Sequence, residues 1–155
     1  MKTAGEGRQR KVVSKMLDWI ANRGELEMVM KTQGEIEAAI CEGINRFERE
    51  YMGRGPKDIH AYLIDDIVMV RLRGVLTAAE QHLIAKLAAE KGRDLLKQVR
   101  TQLMETARPV MEALVQEVTG VKVTSLHHDI STVTGEKIVV FTLAGPPLFR
   151  EMKRG

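Results

Sequence analysis

Apolar residues recur along the chain with two periods, and the places where the period changes predict the elements of the fold. Between residues 32 and 53 the period is helical, with apolar side chains at steps of three and four: Ile36, Ala39, Ile40, Ile44, Phe47 and Tyr51. A capping box is expected at residues 32–35 (TQGE), and the helix ends at residues 53–56 (GRGP), because glycine accepts a left-handed cap and proline cannot continue a helix. The pattern predicts a helix with one buried face.

Two segments with a period of two predict β-hairpins. The first has strands at residues 59–64 and 67–72, joined by a turn at Asp65-Asp66. The second has strands at residues 121–131 and 137–143, joined by a turn at residues 134–136 (TGE). Isolated hairpins are marginally stable in water, so we expect the two to join in one four-stranded antiparallel sheet.

The helical period returns between the hairpins. A second capping box at residues 77–80 (TAAE) opens a helix that meets Gly92, and a longer helix is expected over residues 93–119. Pro109 deprives the carbonyl of Glu105 of its helical partner, which predicts a kink. The long helix would measure roughly 40 Å at 1.5 Å per residue, more than a small sheet covers. Dimerisation along this helix would cover the part that the sheet leaves exposed.

Together these elements predict an α+β protein in the order αββααββ, with an antiparallel four-stranded sheet packed by helices and one long helix kinked near Pro109. The 155 residues are the length of a single domain by the usual prior. We divide the chain into residues 1–31, a basic N-terminal helical extension, and residues 32–155, an α+β domain with a frayed C-terminal tail.

The N-terminal extension concentrates the positive charge. The first 24 residues hold six Lys or Arg against two acidic residues, a net charge of +4, whereas the whole chain carries +3. An apolar stripe at helical spacing accompanies them: Val12, Val13, Met16, Leu17 and Ile20. Two interpretations stay open, an amphipathic helix that docks on the domain or on a partner subunit, and a helix that lies on an anionic membrane surface.

Composition narrows the class of protein. No apolar run approaches the roughly 20 residues that span a bilayer, and the N-terminus lacks a signal-peptide core. The single cysteine, Cys41, excludes an internal disulfide and fits a reducing compartment. The chain beyond residue 24 is nearly neutral and its few aromatic residues do not cluster, which disfavours nucleic-acid binding. We therefore expect a soluble, cytoplasmic protein without a transmembrane segment.

Few residues suggest chemistry. No phosphate-binding loop, metal-ligand motif or nucleophile–base pairing is present, so we expect no enzyme, no cofactor and no metal centre. On a strand, His127 and Asp129 share one face while His128 points the other way. With Asp65 and Asp66 of the other hairpin they form a candidate ligand or ion site. The alternative is a solvated strand face and ordinary turn chemistry.

Several motifs, taken together and in order, resemble the bacterial MpsC-like family: TQGEIE at residues 32–37, EYMGRGPK at 50–57, IDDIVMVRLRGVLT at 64–77, ETARP at 105–109 and HHDISTVTGEKIVVFTL at 127–143. The resemblance implies a small cytoplasmic accessory protein. It also implies a link to a cation-translocating, membrane-potential-generating system that serves uptake of dissolved inorganic carbon. The resemblance implies no catalytic residues in this chain. Within these motifs Arg71 and Arg108 have no evident structural role, and an arginine can orient a carboxylate or bicarbonate-like anion through two hydrogen bonds.

Two functions are therefore expected as alternatives. The first is a non-catalytic accessory or regulatory subunit, as the resemblance implies. It is expected to form a homodimer and to dock on a membrane transporter subunit, peripherally at the inner face of the membrane. The second is a free-standing dimeric module that binds a small ligand or an ion.

Overall fold

The computed structural model describes residues 7–8, 10–15, 17–18 and 30–151, so most of the predicted N-terminal extension lies outside the described residues. From residue 33 onward the elements are α1 (Gln33–Tyr51), β1 (Asp58–Ile64), β2 (Ile67–Arg73), α2 (Ala78–Lys86), α3 (Ala89–Thr119), β3 (Val123–Ile130) and β4 (Lys137–Leu143). The described residues between 7 and 18 are helical as well. The predicted order and the α+β class are confirmed.

The four strands form one antiparallel sheet in the order β1-β2-β4-β3. Each hairpin pairs its own two strands, and the hairpins join through β2 and β4, where Val70 is in register with Val139. The Asp65-Asp66 turn begins with Asp65 at a φ of 55°, a left-handed conformation that aspartate tolerates better than most residues. The Leu143 amide donates to the carbonyl of Asp66 at 2.8 Å, which fixes this turn to the end of β4.

The helices cover one face of the sheet. Alternate residues of β2 and β4 point into the core with the apolar face of α1, and the fully buried members include Val68, Val70, Val139, Phe141, Ile40 and Ile44. α1 packs on β1, and α3 packs on α1 and β3. The other sheet face carries the alternate, more exposed residues, among them His60, Tyr62 and Ile64 of β1. This two-layer arrangement buries the sheet on one side.

The junction between α2 and α3 differs from the prediction. Thr77 forms the expected capping box with Glu80, but α2 ends at Lys86 and α3 begins at Ala89, so Gly92 lies inside α3 rather than at a break. A Cβ atom at Gly92 would lie 3.1 Å from the carbonyl oxygen of Leu83 and 3.2 Å from the Cα of Ile84. Glycine is needed here because the two helices approach each other closely, not because the helix stops.

α3 is the longest element, with 31 residues. Pro109 lies inside it, where its missing N–H leaves the carbonyl of Glu105 without its helical hydrogen bond, in keeping with the predicted kink. The helix ends at Gly120, which has a φ of 71° and donates its amide to the carbonyl of Gln116.

One compact unit spans Gln33–Leu148. The described residues on either side belong to a second unit, in which Thr32 forms an isolated parallel bridge with Arg150 and the Arg150 amide donates to the carbonyl of Lys31 at 2.9 Å. The predicted division of the chain between residues 31 and 32 stays a prediction.

Candidate functional site

The acidic residues predicted to form one site lie at different places on the sheet. Asp65 and Asp66 form the turn between β1 and β2, whereas Asp129 lies on the edge strand β3. Asp129 is in register with Ile138, which is in register with Arg71 of β2. Arg71 is five residues beyond Asp66, roughly 17 Å along a strand, and β3 is two strands away from β2. The structure therefore does not bring these carboxylates together.

His127 and Asp129 are exposed on β3, while His128 between them is half-buried on the helix side. The Asp129 carboxylate accepts from Nζ of Lys97 at 3.1 Å and from the amide of Ile130 at 2.8 Å. The hydrogen bond from Lys97 is the main reason that the pKa of Asp129 lies below its usual value. This carboxylate is thus engaged by a lysine of α3.

The two predicted anion-binding arginines are engaged by carboxylates of the chain itself. Arg71 donates from Nε to Oε2 of Glu136 at 2.7 Å, and its Nη2 is 2.7 Å from the same oxygen. Arg108 donates from Nη2 to Glu105 at 3.1 Å and to the carbonyl of Leu126 at 3.4 Å. Both arginines therefore tie neighbouring elements together: Arg71 holds β2 to the residue before β4, and Arg108 holds α3 to β3.

Sequence reasoning missed a cluster of four charged residues, of which three are buried in the core and the fourth, Glu80, is 24% exposed at its side chain. Glu48 of α1 accepts from Nζ of Lys137 of β4, and Glu80 of α2 accepts from Nη2 of Arg100 of α3 at 2.7 and 3.1 Å. The side chains of Glu48, Lys137 and Arg100 are 2%, 3% and 5% exposed. We call these four residues the buried ionic cluster. Its sequence signal is charge at positions where the periodicity requires an apolar residue, as at Glu48, four residues after Ile44.

A small cavity of about 70 Å³ lies beside this cluster, between α3 and the β3–β4 edge of the sheet. Its polar wall includes Lys97, Arg100, His128 and Lys137. Burial lowers the pKa of Lys137, although Glu48 opposes the change, and burial together with the Lys137 charge lowers the pKa of His128. The wall holds three cationic side chains and one carboxylate, that of Asp129.

A second surface lies along α3 and is apolar. Val99, Leu103 and Val110 are 49%, 41% and 45% exposed. With the exposed Thr106 and Ala113 they alternate at steps of four and three residues, which is the spacing of a coiled-coil seam. We call these five residues the α3 seam. At its C-terminal end it borders an open groove between α3 and α1, which is lined by Ala39 and Gly43 on the α1 side.

Neither a metal centre nor a membrane span is found in the described part of the chain. Among the described residues, no three His, Cys, Asp or Glu side chains come together in a way that could hold a metal ion. Within the same residues, none of the helices combines the length and the apolar character needed to cross a lipid bilayer. Burial raises the pKa of the half-buried Cys41 thiol, whose Sγ is 4.0 Å from the carbonyl oxygen of Ile59.

The fold and its polar core define a small two-layer α+β protein with an ion-paired interior and an exposed helical seam. Residues 32–145 match the family described as the Na+-translocating membrane potential-generating system (MpsC). The chain belongs to this MpsC family, as its motifs suggested.

Two relatives from Bacillus subtilis (strain 168) are similar to the chain. One, named uncharacterized protein YbcI, is 34% identical over 113 residues, which are 73% of this chain and 89% of the relative. The other, named uncharacterized protein YrhF, is 29% identical over 100 residues, 63% of this chain and 79% of the relative. No solved structure matches the chain.

Proposed function

We propose that the chain is a non-catalytic accessory or regulatory subunit of a Na+-translocating membrane system, and that it works as a homodimer formed along the α3 seam. The description of the family supports the link to such a system. The structural observation that carries the proposal is the α3 seam, because three large apolar side chains are exposed there on one side of a single helix.

The geometry of the seam suits a helical partner. Successive helical residues are 100° apart, so Val99 and Val110 fall within an arc of about 20° and lie roughly 16 Å apart along the axis. A partner helix that presents the same spacing would seat its side chains between those of α3, as in a coiled coil. A second copy of this chain provides such a helix, and pairing in this way would cover part of the long α3.

Membrane association is proposed from the described residues of the N-terminal segment. Lys11 and Lys15 are exposed on a helical segment that also exposes Val12, Val13 and Leu17. Basic and apolar residues on one helix favour either the surface of an anionic membrane or an amphipathic contact with a partner subunit. Either contact would hold the protein peripherally at the inner face of the membrane.

The test is affinity purification of the tagged full chain from detergent-solubilised membranes of the organism that encodes it. We expect a membrane protein with several spans to be recovered with the wild type, and to be lost with Val99→Glu/Leu103→Glu. Gln98→Glu/Gln116→Glu is the matched control, since it places the same two charges at exposed positions of α3 outside the seam. Recovery of this chain alone would refute the membrane partnership and leave the homodimer.

The same purification separates the role of the N-terminal segment. Lys11→Glu/Lys15→Glu reverses two exposed charges and changes no residue of the α+β unit. Loss of the membrane protein from this variant, with the homodimer kept, would assign docking to the basic segment. Unchanged recovery would assign docking to the α+β unit.

The second candidate, a module that binds a small ligand, is favoured by a different observation. The wall of the cavity beside the buried ionic cluster, with its three cationic side chains, is suited to a small anion rather than to a protein surface.

A further inference from the structure

Arg100 holds hydrogen-bond donors in the core that the described chain does not use. Its Nη2 donates to both carboxylate oxygens of Glu80 and to the carbonyl of Val75 at 3.0 Å. Its Nε and Nη1 are buried, and neither has a hydrogen-bond partner among the described residues. The side chain is only 5% exposed. Buried donors without an acceptor are costly, and in native proteins they often mark a bound group.

Arg100 lies in the wall of the cavity between α3 and the β3–β4 edge. The charged residues of that wall are Lys97, Arg100 and Lys137 against Asp129 alone, so the wall carries a formal charge of +2. Glu48 and Glu80 lie outside the wall, but they pair with Lys137 and Arg100 and balance that charge, so the unused donors of Arg100 are what favours an anion here. A cavity of about 70 Å³ exceeds the roughly 30 Å³ that one water occupies in the liquid, and it suits a small oxyanion.

Two titratable groups of the cavity wall, His128 and Lys137, have pKa values below their ordinary ones, chiefly because they are buried. The pKa of His128 is lowered by burial and by the charges of Lys137 on β4 and Arg108 on α3, while Glu105 on α3 and Asp129 oppose the change. The charge of Arg100 likewise contributes to the lowered pKa of Lys137. Burial is the largest cause of both shifts and penalises a charge of either sign, so only the contributions of Lys137, Arg108 and Arg100 report nearby positive charge.

We propose that this cavity is a binding site for a small oxyanion, in which Nε and Nη1 of Arg100 donate to the ligand and Lys97 supplies charge at the exposed side. Lys97 is 45% exposed at its side chain and is held by Asp129, so the lysine can turn to an anion when one binds. The hydroxyl of Thr101, one helical turn from Lys97, adds a donor to the wall. This site is separate from the α3 seam and does not depend on the proposed subunit role, but it deepens the second candidate function by naming the class of its ligand.

The test is titration calorimetry of the full chain with inorganic phosphate, sulfate and hydrogencarbonate, each against chloride at equal ionic strength. We expect saturable binding of at least one oxyanion by the wild type. Lys97→Ala should weaken it about tenfold, the size of a charge-assisted hydrogen bond. Asp129→Asn should tighten it, because it removes the negative charge of the wall and frees Lys97. Lys91→Ala, the same charge change at an exposed position of α3 outside the cavity, should leave affinity unchanged.

Arg100→Lys keeps the positive charge and removes the unused donors, and it should abolish saturation while the far-UV circular dichroism stays that of the wild type. If that variant does not fold, the opposite shifts of Lys97→Ala and Asp129→Asn still decide the matter, since both residues are at the surface. Absence of oxyanion binding beyond that of chloride by the wild type would overturn the proposal. Equal weakening by Lys97→Ala and Lys91→Ala would overturn it too, because binding would then follow net charge alone.

Discussion

Glu48 of α1 and Lys137 of β4 form an ion pair whose two side chains are almost completely buried, although 89 residues separate them along the chain. The pair fastens the helical layer to the inner face of the sheet at the first residue of β4. Taking two charges out of water is expensive, so such a pair adds little net stability over apolar residues of similar volume. What it does impose is a penalty on any arrangement that separates the two charges.

Replacing one partner should therefore be strongly destabilising. We expect Glu48→Ala to lower the free energy of unfolding by about 3–5 kcal/mol, because Lys137 would be left charged and unpaired in the core. Chemical denaturation followed by circular dichroism measures this change. The double variant Glu48→Leu/Lys137→Met fills the same space without charge and should recover most of the loss. A double variant as unstable as the single one would show that the charges themselves are required.

The Glu48–Lys137 pair also shows that buried ion pairs could not be predicted from the sequence patterns. The periodicity of α1 placed Ile36, Ile40, Ile44 and Phe47 correctly in the core, but Tyr51, which it also predicted to be inside, is 47% exposed. Along β4, alternate residues are buried from Lys137 to Leu143. The same two patterns place Glu48 and Lys137 at inward positions, but they do not say which charge faces which. That information depends on the sheet order β1-β2-β4-β3, which brings β4 to the centre of the sheet, and the sequence left the order open.

The glycine inside α3 offers a test of the helix junction. Gly92→Ala should destabilise the protein by about 1–3 kcal/mol, since its Cβ would meet backbone atoms of Leu83 and Ile84 that cannot move independently. Gly34→Ala in α1 is the matched control, because a Cβ there meets no atom within 4 Å and the substitution should stabilise the helix by about 0.5 kcal/mol. Thermal unfolding of both variants measures the two signs. A stabilising Gly92→Ala would contradict the close approach of α2 and α3.

The α3 seam predicts an oligomeric state. The wild type should have the mass of a dimer by light scattering coupled to size exclusion, and Val99→Glu/Leu103→Glu should have the mass of a monomer with an unchanged circular dichroism spectrum. Burying glutamate carboxylates between two apolar helix faces is unfavourable enough to separate them. Gln98→Glu/Gln116→Glu should remain dimeric. A wild type that is monomeric across a wide concentration range would refute the homodimer.

The candidate site shows that the sequence did not determine which of the candidate residues lie close together. Alternation along β3 correctly separated His128 from His127 and Asp129, but nothing local to the sequence fixed the distance between the two hairpins. Asp65 and Asp66 turned out to be at the far end of the neighbouring hairpin, and Arg71 pairs with Glu136 instead of a ligand. Arg100, whose Nε and Nη1 have no hydrogen-bond partner among the described residues, belongs to none of the motifs that suggested the family, and only its tertiary surroundings reveal those donors.

The pairing of Arg71 with Glu136 predicts a modest effect on stability. The two side chains are 38% and 30% exposed, and ion pairs near the surface contribute about 0–1 kcal/mol. Arg71→Ala should therefore lower the free energy of unfolding by less than about 1 kcal/mol in chemical denaturation. It should also leave oxyanion affinity unchanged, because Arg71 lies outside the cavity wall. Loss of oxyanion binding in Arg71→Ala, with the fold kept, would restore this arginine as a ligand.

His128 should make the folded state sensitive to mild acid. Its pKa in the folded protein lies below the ordinary value of 6.5, owing to burial and to the charges of Lys137 and Arg108. Well above pH 6.5 the imidazole is neutral in both states and does not affect the free energy of unfolding. As the pH falls below 6.5 the unfolded chain binds a proton that the folded chain does not, so the free energy of unfolding declines until the folded-state pKa is passed.

His128→Gln removes this titration, and its stability relative to the wild type should therefore rise as the pH is lowered below 6.5. Urea denaturation at a series of pH values above about 5 measures the difference and stays clear of the carboxylates, which titrate near pH 4. His127→Gln, the same substitution on the exposed side of β3, is the matched control for the loss of one imidazole. A difference between His128→Gln and the wild type that is constant over this range would show that burial beside Lys137 does not hold His128 neutral.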